Sequence, residues 1–125
     1  MRLAFVAAIL SGWSAAALAT DWRADIDCRP AGDGPVFDCT IRLTDARTRR
    51  PISGAQFTVG ADMPSMPMAH DVRPAPAVPT TEPGVYRAPL ALDMYGTWTV
   101  KLVISRPVHD QIRKTIELFD GTDKR

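Results

Sequence analysis

From Trp22 onward the chain alternates between apolar and polar residues in short runs. Trp22, Ala24, Ile26 and Cys28 are apolar, with Arg23, Asp25 and Asp27 between them. A period of two is that of a strand with one buried face. The turn-rich stretch "RPAGDGP" follows, and alternation resumes with Phe37, Cys39, Ile41 and Leu43 against Asp38, Thr40 and Arg42. The pair predicts a β-hairpin folded about Asp33 and Gly34. A third strand is expected over "AQFTVGADM", where Ala55, Phe57, Val59, Ala61 and Met63 share one face. Two more come from "GVYRAPLALDM", with Tyr86, Ala88, Leu90 and Leu92, and "GTWTVKLVI", with Trp98, Val100, Leu102 and Ile104. Only Tyr95 and Gly96 separate these two runs, which predicts a tight hairpin. A last strand from about Ile112 to Phe119 turns Ile112, Ile116 and Leu118 inward, with Lys114 as the exception.

Between the third strand and Tyr86, the prolines 64, 67, 74, 76, 79 and 83 exclude a helix or a central strand. That region is expected to be an extended loop with one edge strand near Val72 to Val78. No helical period appears in this part of the chain. Six or seven short strands with turns at this spacing predict an all-β, immunoglobulin-like antiparallel sandwich.

Residues 1–19 have a different pattern. Arg2 precedes an apolar run from Leu3 to Leu10, and the segment ends in Ala17-Leu18-Ala19, the small-x-small site of signal peptidase. A cleavable signal peptide at 1–19 and one domain at 20–125 are therefore expected, with export to the periplasm. Ser11, Gly12 and Ser14 interrupt the apolar run and argue against a retained membrane anchor.

The chain has 15 Lys and Arg and 14 Asp and Glu. Cleavage removes Arg2 and no acid, which leaves a neutral domain with no basic stripe for nucleic acid and no second apolar run of membrane length. Cys28 and Cys39 are expected to be disulfide-bonded in an oxidising compartment. Their spacing matches neither a Cys-x-x-Cys redox motif nor a familiar close-pair zinc motif. The hairpin register agrees, since folding about residues 33 and 34 sets Cys28 opposite Cys39.

Catalytic patterns are missing. His70 and His109 are the two histidines, and neither a Ser/His/Asp set nor a phosphate loop is recognisable, so no enzyme is expected. The segment "MPSMPMAH" is where chemistry concentrates. Met63, Met66, Met68 and His70 supply three thioethers and an imidazole, the soft, uncharged donors that suit Cu(I). In extended chain Met66, Met68 and His70 project to one side, and Met63 can join across a bend at Pro64-Ser65. The flanking prolines reduce the ordering cost of wrapping the seground around an ion. Met63 also shares the face of Phe57 and Val59, so a place in the core is equally open to it. His109 and Met94 are expected to be bystanders, although Met94 lies in a loop that can approach the cluster.

The stretches "RRPISGAQFTVGADMPSMPMAH" and "PGVYRAPLALDMYGTWTVKLVI" resemble the FixH/YtkA-like family of small exported bacterial domains. The resemblance runs from about Arg49 to Ile104 and is carried by four features. They are the Pro51/Gly54 turn, the Met63-Pro64-x-Met66 motif, the Gly84-x-Tyr86 strand start and the Gly96-x-Trp98 strand. It implies an immunoglobulin-like sandwich outside the cytoplasm with a link to copper handling, as an accessory to oxidase assembly or to metal efflux. FixH proper keeps a membrane-anchoring N-terminal helix, whereas the N-terminal segment here looks cleavable. The expected function is a periplasmic Cu(I) carrier or buffer that meets a membrane oxidase-assembly or efflux component. The alternative is a metal-free interaction module that uses the Met/Pro-rich loop as its contact surface.

Overall fold

Alternation in the sequence becomes strand pairing wherever both neighbours can bury their apolar positions on the same side. The computed structural model describes residues 21–66 and 72–120. It contains β1 (Trp22–Pro30), β2 (Val36–Asp45), β3 (Gln56–Asp62), β4 (Ala75–Pro76), β5 (Val78–Pro79), β6 (Val85–Ala91), β7 (Gly96–Arg106) and β8 (Asp110–Leu118). They form two four-stranded antiparallel sheets, ordered β1-β2-β6-β5 and β4-β3-β7-β8. Their inner faces enclose one core that includes Phe37, Ile41 and Leu90 from one sheet and Phe57, Val59, Trp98 and Leu102 from the other. The protein is an all-β sandwich, as the alternation predicts. The signal peptide expected at 1–19 lies outside the described residues.

The first hairpin has the expected register. Ile26 faces Ile41 and Cys28 faces Cys39, and the two cysteines are joined in a disulfide with their Cα atoms 4.0 Å apart. Closing a loop of this length stabilises the fold by about 3 kcal/mol in the chain-entropy model.

Two details differ from expectation. The proline-rich region supplies two strands of two residues each, β4 on one sheet and β5 on the other, which raises the count to eight. Between them the chain changes sheets, and the Ala77 N–H donates to the Phe57 carbonyl at 3.0 Å. Proline confines both strands to sheet edges, where a missing N–H is tolerated. The second correction concerns β6 and β7, which do not form the expected hairpin. β6 pairs with β2 and β5, while β7 pairs with β3 and β8. Alternation alone cannot distinguish a hairpin from a link between facing sheets, because both keep the apolar positions inward.

The end of the sandwich near the β2–β3 link is pinned by Tyr86. Its hydroxyl donates to the Ile52 carbonyl at 2.8 Å and accepts from the Ala55 N–H at 3.1 Å, and its ring packs edge-to-face on Phe57. Gly84 lies beside this pin with φ +74°, and a Cβ there would stand 2.6 Å from the Pro51 Cβ. Only glycine fits that approach. Asp45 caps the adjoining turn. Its carboxylate accepts from the Thr48 N–H at 3.1 Å and the Arg47 N–H at 2.8 Å, and these bonds hold its pKa below the usual 3.8.

Two outcomes are expected. Tyr86→Phe strands a buried N–H and a carbonyl, and should lower stability by about 2 kcal/mol, seen as a lower urea midpoint at unchanged slope. A shift near zero would show that the pin contributes nothing. For Asp45 the folded pKa lies below the unfolded one, so its stabilisation is present above the unfolded value and lost as pH falls through the folded value. The stability gap between wild type and Asp45→Ala should therefore be full near neutrality and narrow once the pH drops below 3.8. A gap that stays constant into acid would assign the effect to something other than the ionised carboxylate.

Candidate functional site

The end opposite Tyr86 gathers the β1–β2 turn, the β6–β7 link, the end of β8 and the segment that leaves β3. The last of these begins with a tight turn. The Met66 N–H donates to the Met63 carbonyl at 3.1 Å, with Pro64 and Ser65 at the turn's two central positions. Proline presets φ for the first central position of such a turn. The bend expected at Pro64-Ser65 is present, and it separates two methionines with opposite surroundings. Met63 stays on the face of Phe57 and Val59, only 4 % exposed, whereas Met66 is 39 % exposed.

The return arm is also anchored. Val72 packs against the core, Ala75 pairs with Val59, and Pro74 lies over Gly60, its Cγ 3.5 Å from where a Cβ would stand. Gly60 thus makes room on the outer face of β3 for the returning chain. The described residues on either side of 67–71 are therefore both placed against β3. Met68 and His70 lie outside the described residues.

On the neighbouring link, Leu92 is buried and its N–H donates to the Pro35 carbonyl at 2.9 Å. The chain then crosses to the other sheet through Asp93, Met94 and Tyr95. Trp98 is fully buried, and its indole N–H donates to the Met94 carbonyl at 3.2 Å. A buried indole needs such a partner. Gly96 has φ +151°, and a Cβ placed on it would come within 3.1 Å of the Met63 methyl. Tyr95 packs edge-to-face on Phe37. Met94 itself points away from the core, 37 % exposed.

Met63 is thus buried at this end, while Met66 on one loop and Met94 on another are exposed there. Phe119, 38 % exposed, extends β8 just beyond Leu118, which pairs with Gly96, so it belongs to the same end. Sequence reasoning set Met94 aside and took Phe119 as a strand end. The available signals were the position of Met94 two residues before Gly96-x-Trp98, and the parity of Phe119, which is out of phase with Ile116 and Leu118. His109, by contrast, sits exposed in the β7–β8 turn at the opposite end.

Among the described residues no group of three or more His, Cys, Asp or Glu side chains is placed to hold a metal ion. No helix among those residues is long and apolar enough to cross a membrane. A concavity of about 390 Å³ opens beside β4 and β5 between Phe57, Pro76, Pro79 and Tyr86. Its one titratable lining group is the Tyr86 hydroxyl, already engaged by Ile52 and Ala55.

If Met63 is part of the core at this end, Met63→Ala should cost about 2 to 5 kcal/mol in urea unfolding, while Met63→Leu, which keeps the volume, should cost under about 1.5 kcal/mol. Equal, small effects of both would place Met63 outside the core.

A search of curated proteins and one of solved structures each return no match. The model of one family, YtkA-like, matches residues 17–103. That span takes in β1 to β6 and most of β7, and so includes the first hairpin that the residue-level resemblance left out. On that match over more than half its length, the chain belongs to the YtkA-like family.

Proposed function

We propose that this is an exported, periplasmic, non-enzymatic protein that carries or buffers Cu(I), with its donors drawn from the segment Met63 to His70, in which Met63 itself is buried. The observation that supports this reading is the turn at Pro64-Ser65, which lifts Met66 out of the core at the head of the segment holding Met68 and His70. A methionine that served only as a gap filler belongs inside, as Met63 is. Copper is the cargo here. Neutral sulfur and imidazole donors suit its monovalent state, and a site at the rim lets a partner replace the donors one at a time. The partner class is a membrane oxidase-assembly or efflux component.

A second reading has its own support. Met66, Met94 and Phe119 are exposed apolar side chains at one end of the sandwich. Such a patch suits a metal-free contact module whose adaptable methionines pack against another protein. Leucine substitution separates the two readings, because it keeps apolar bulk and removes sulfur.

The deciding measurement is a Cu(I) competition titration against a chromophoric chelator, comparing the exported protein with its Met66→Leu/Met68→Leu/His70→Ala variant. One tight equivalent, lost in the variant, is the expected result. A folded wild type that takes no Cu(I) would overturn the copper reading and leave the contact surface.

A further inference from the structure

Two thioethers stand exposed at the rim, Met66 and Met94, and one that was expected to join them lies beneath. Three observations relate their positions. The Met66 N–H is bonded to the Met63 carbonyl at 3.1 Å. The Met63 methyl fills the space above Gly96, 3.1 Å from where a Cβ would be. Gly96 is two residues from Met94, whose carbonyl is fixed by the Trp98 indole at 3.2 Å. Met66 and Met94 therefore lie on two different loops at the same end of the sandwich as the buried Met63.

We propose that Met94 is a metal ligand of this rim and that Met63 is not, so that the site is shared between Met66, on the turn after β3, and Met94, on the β6–β7 link. This deepens the copper reading above and rests on it. The chemistry is that of a soft monovalent ion held by neutral sulfur. Met94 sits on a backbone already fixed by Trp98 and Gly96, and preorganisation of this kind raises affinity. Two anchored loops also make the second donor's capture intramolecular. Met63 has the opposite circumstances, because recruiting its sulfur means lifting a core side chain off Gly96 and opening a cavity below.

The experiment pairs Cu(I) competition titrations with methyl NMR of methionine-labelled protein, using Ag(I) as a redox-inert probe. The full exported chain is used as wild type, Met94→Leu and Met63→Leu. The expected result is that Ag(I) moves the methyl signals of Met66 and Met94 and leaves that of Met63 in place. Met94→Leu should weaken Cu(I) by at least about tenfold, with Met63→Leu staying within about threefold of wild type. Both variants keep apolar volume, so an unchanged urea midpoint for Met94→Leu separates lost ligation from lost folding. The proposal is overturned if Met94→Leu binds as wild type does and the Met94 methyl signal does not move while the wild type is loaded. In that case the copper reading stands with a different donor set. A wild type that binds neither ion overturns both together.

Discussion

The burial of Trp98 is the constraint on which one end of this molecule depends. A fully buried indole must satisfy its N–H, and the acceptor it finds is the main-chain carbonyl of Met94, four residues earlier. That bond fixes the path by which the chain leaves one sheet and enters the other. Gly96 completes the crossing through its positive φ and through the space it leaves for the Met63 methyl. The place of β7 between β3 and β8, the shape of the rim, and the outward direction of Met94 all follow from the same junction.

At the opposite end Tyr86 does comparable work with a hydroxyl instead of an indole. Its two hydrogen bonds hold the residues after Pro51, and Gly84 allows Pro51 to approach. The motifs that signal the family therefore divide by position. Pro51, Gly54, Gly84 and Tyr86 explain one end as architecture, while Gly96 and Trp98 explain the frame of the other. Met66 is the motif residue that architecture does not account for, since its side chain is exposed and fills no core space.

Much of this fold was legible in the sequence because each long strand has one buried face, and burial imposes a period of two. Phe37, Cys39, Ile41 and Leu43 could be placed inward, and the disulfide register inferred, from that rule and a short turn. Strand partnership was less legible. The β6–β7 link looked like a hairpin because the residues that make it a crossing act through tertiary contacts: Leu92 on the Pro35 carbonyl, Trp98 on Met94, Met63 above Gly96. The division between Met63 and Met66 was half legible. Parity placed Met63 with Phe57 and Val59, and Pro64 announced a turn, but which methionine remained exposed depended on what stood over Gly96.

The core beneath this rim holds no buried polar or charged side chain among the described residues. Under the proposed function, an ion at this rim would lie over an apolar bed. A soft monovalent ion has less hydration to lose than a divalent one, and it would gain polarizable sulfur from the proposed donors. The same bed makes Met66, Met94 and Phe119 a sticky surface in the absence of metal. Under the proposed function these properties belong together, because a carrier that hands over its ion by ligand exchange needs a partner pressed against the donors. The exposed apolar side chains of Met66, Met94 and Phe119 would give that partner something to hold while the ligands change over.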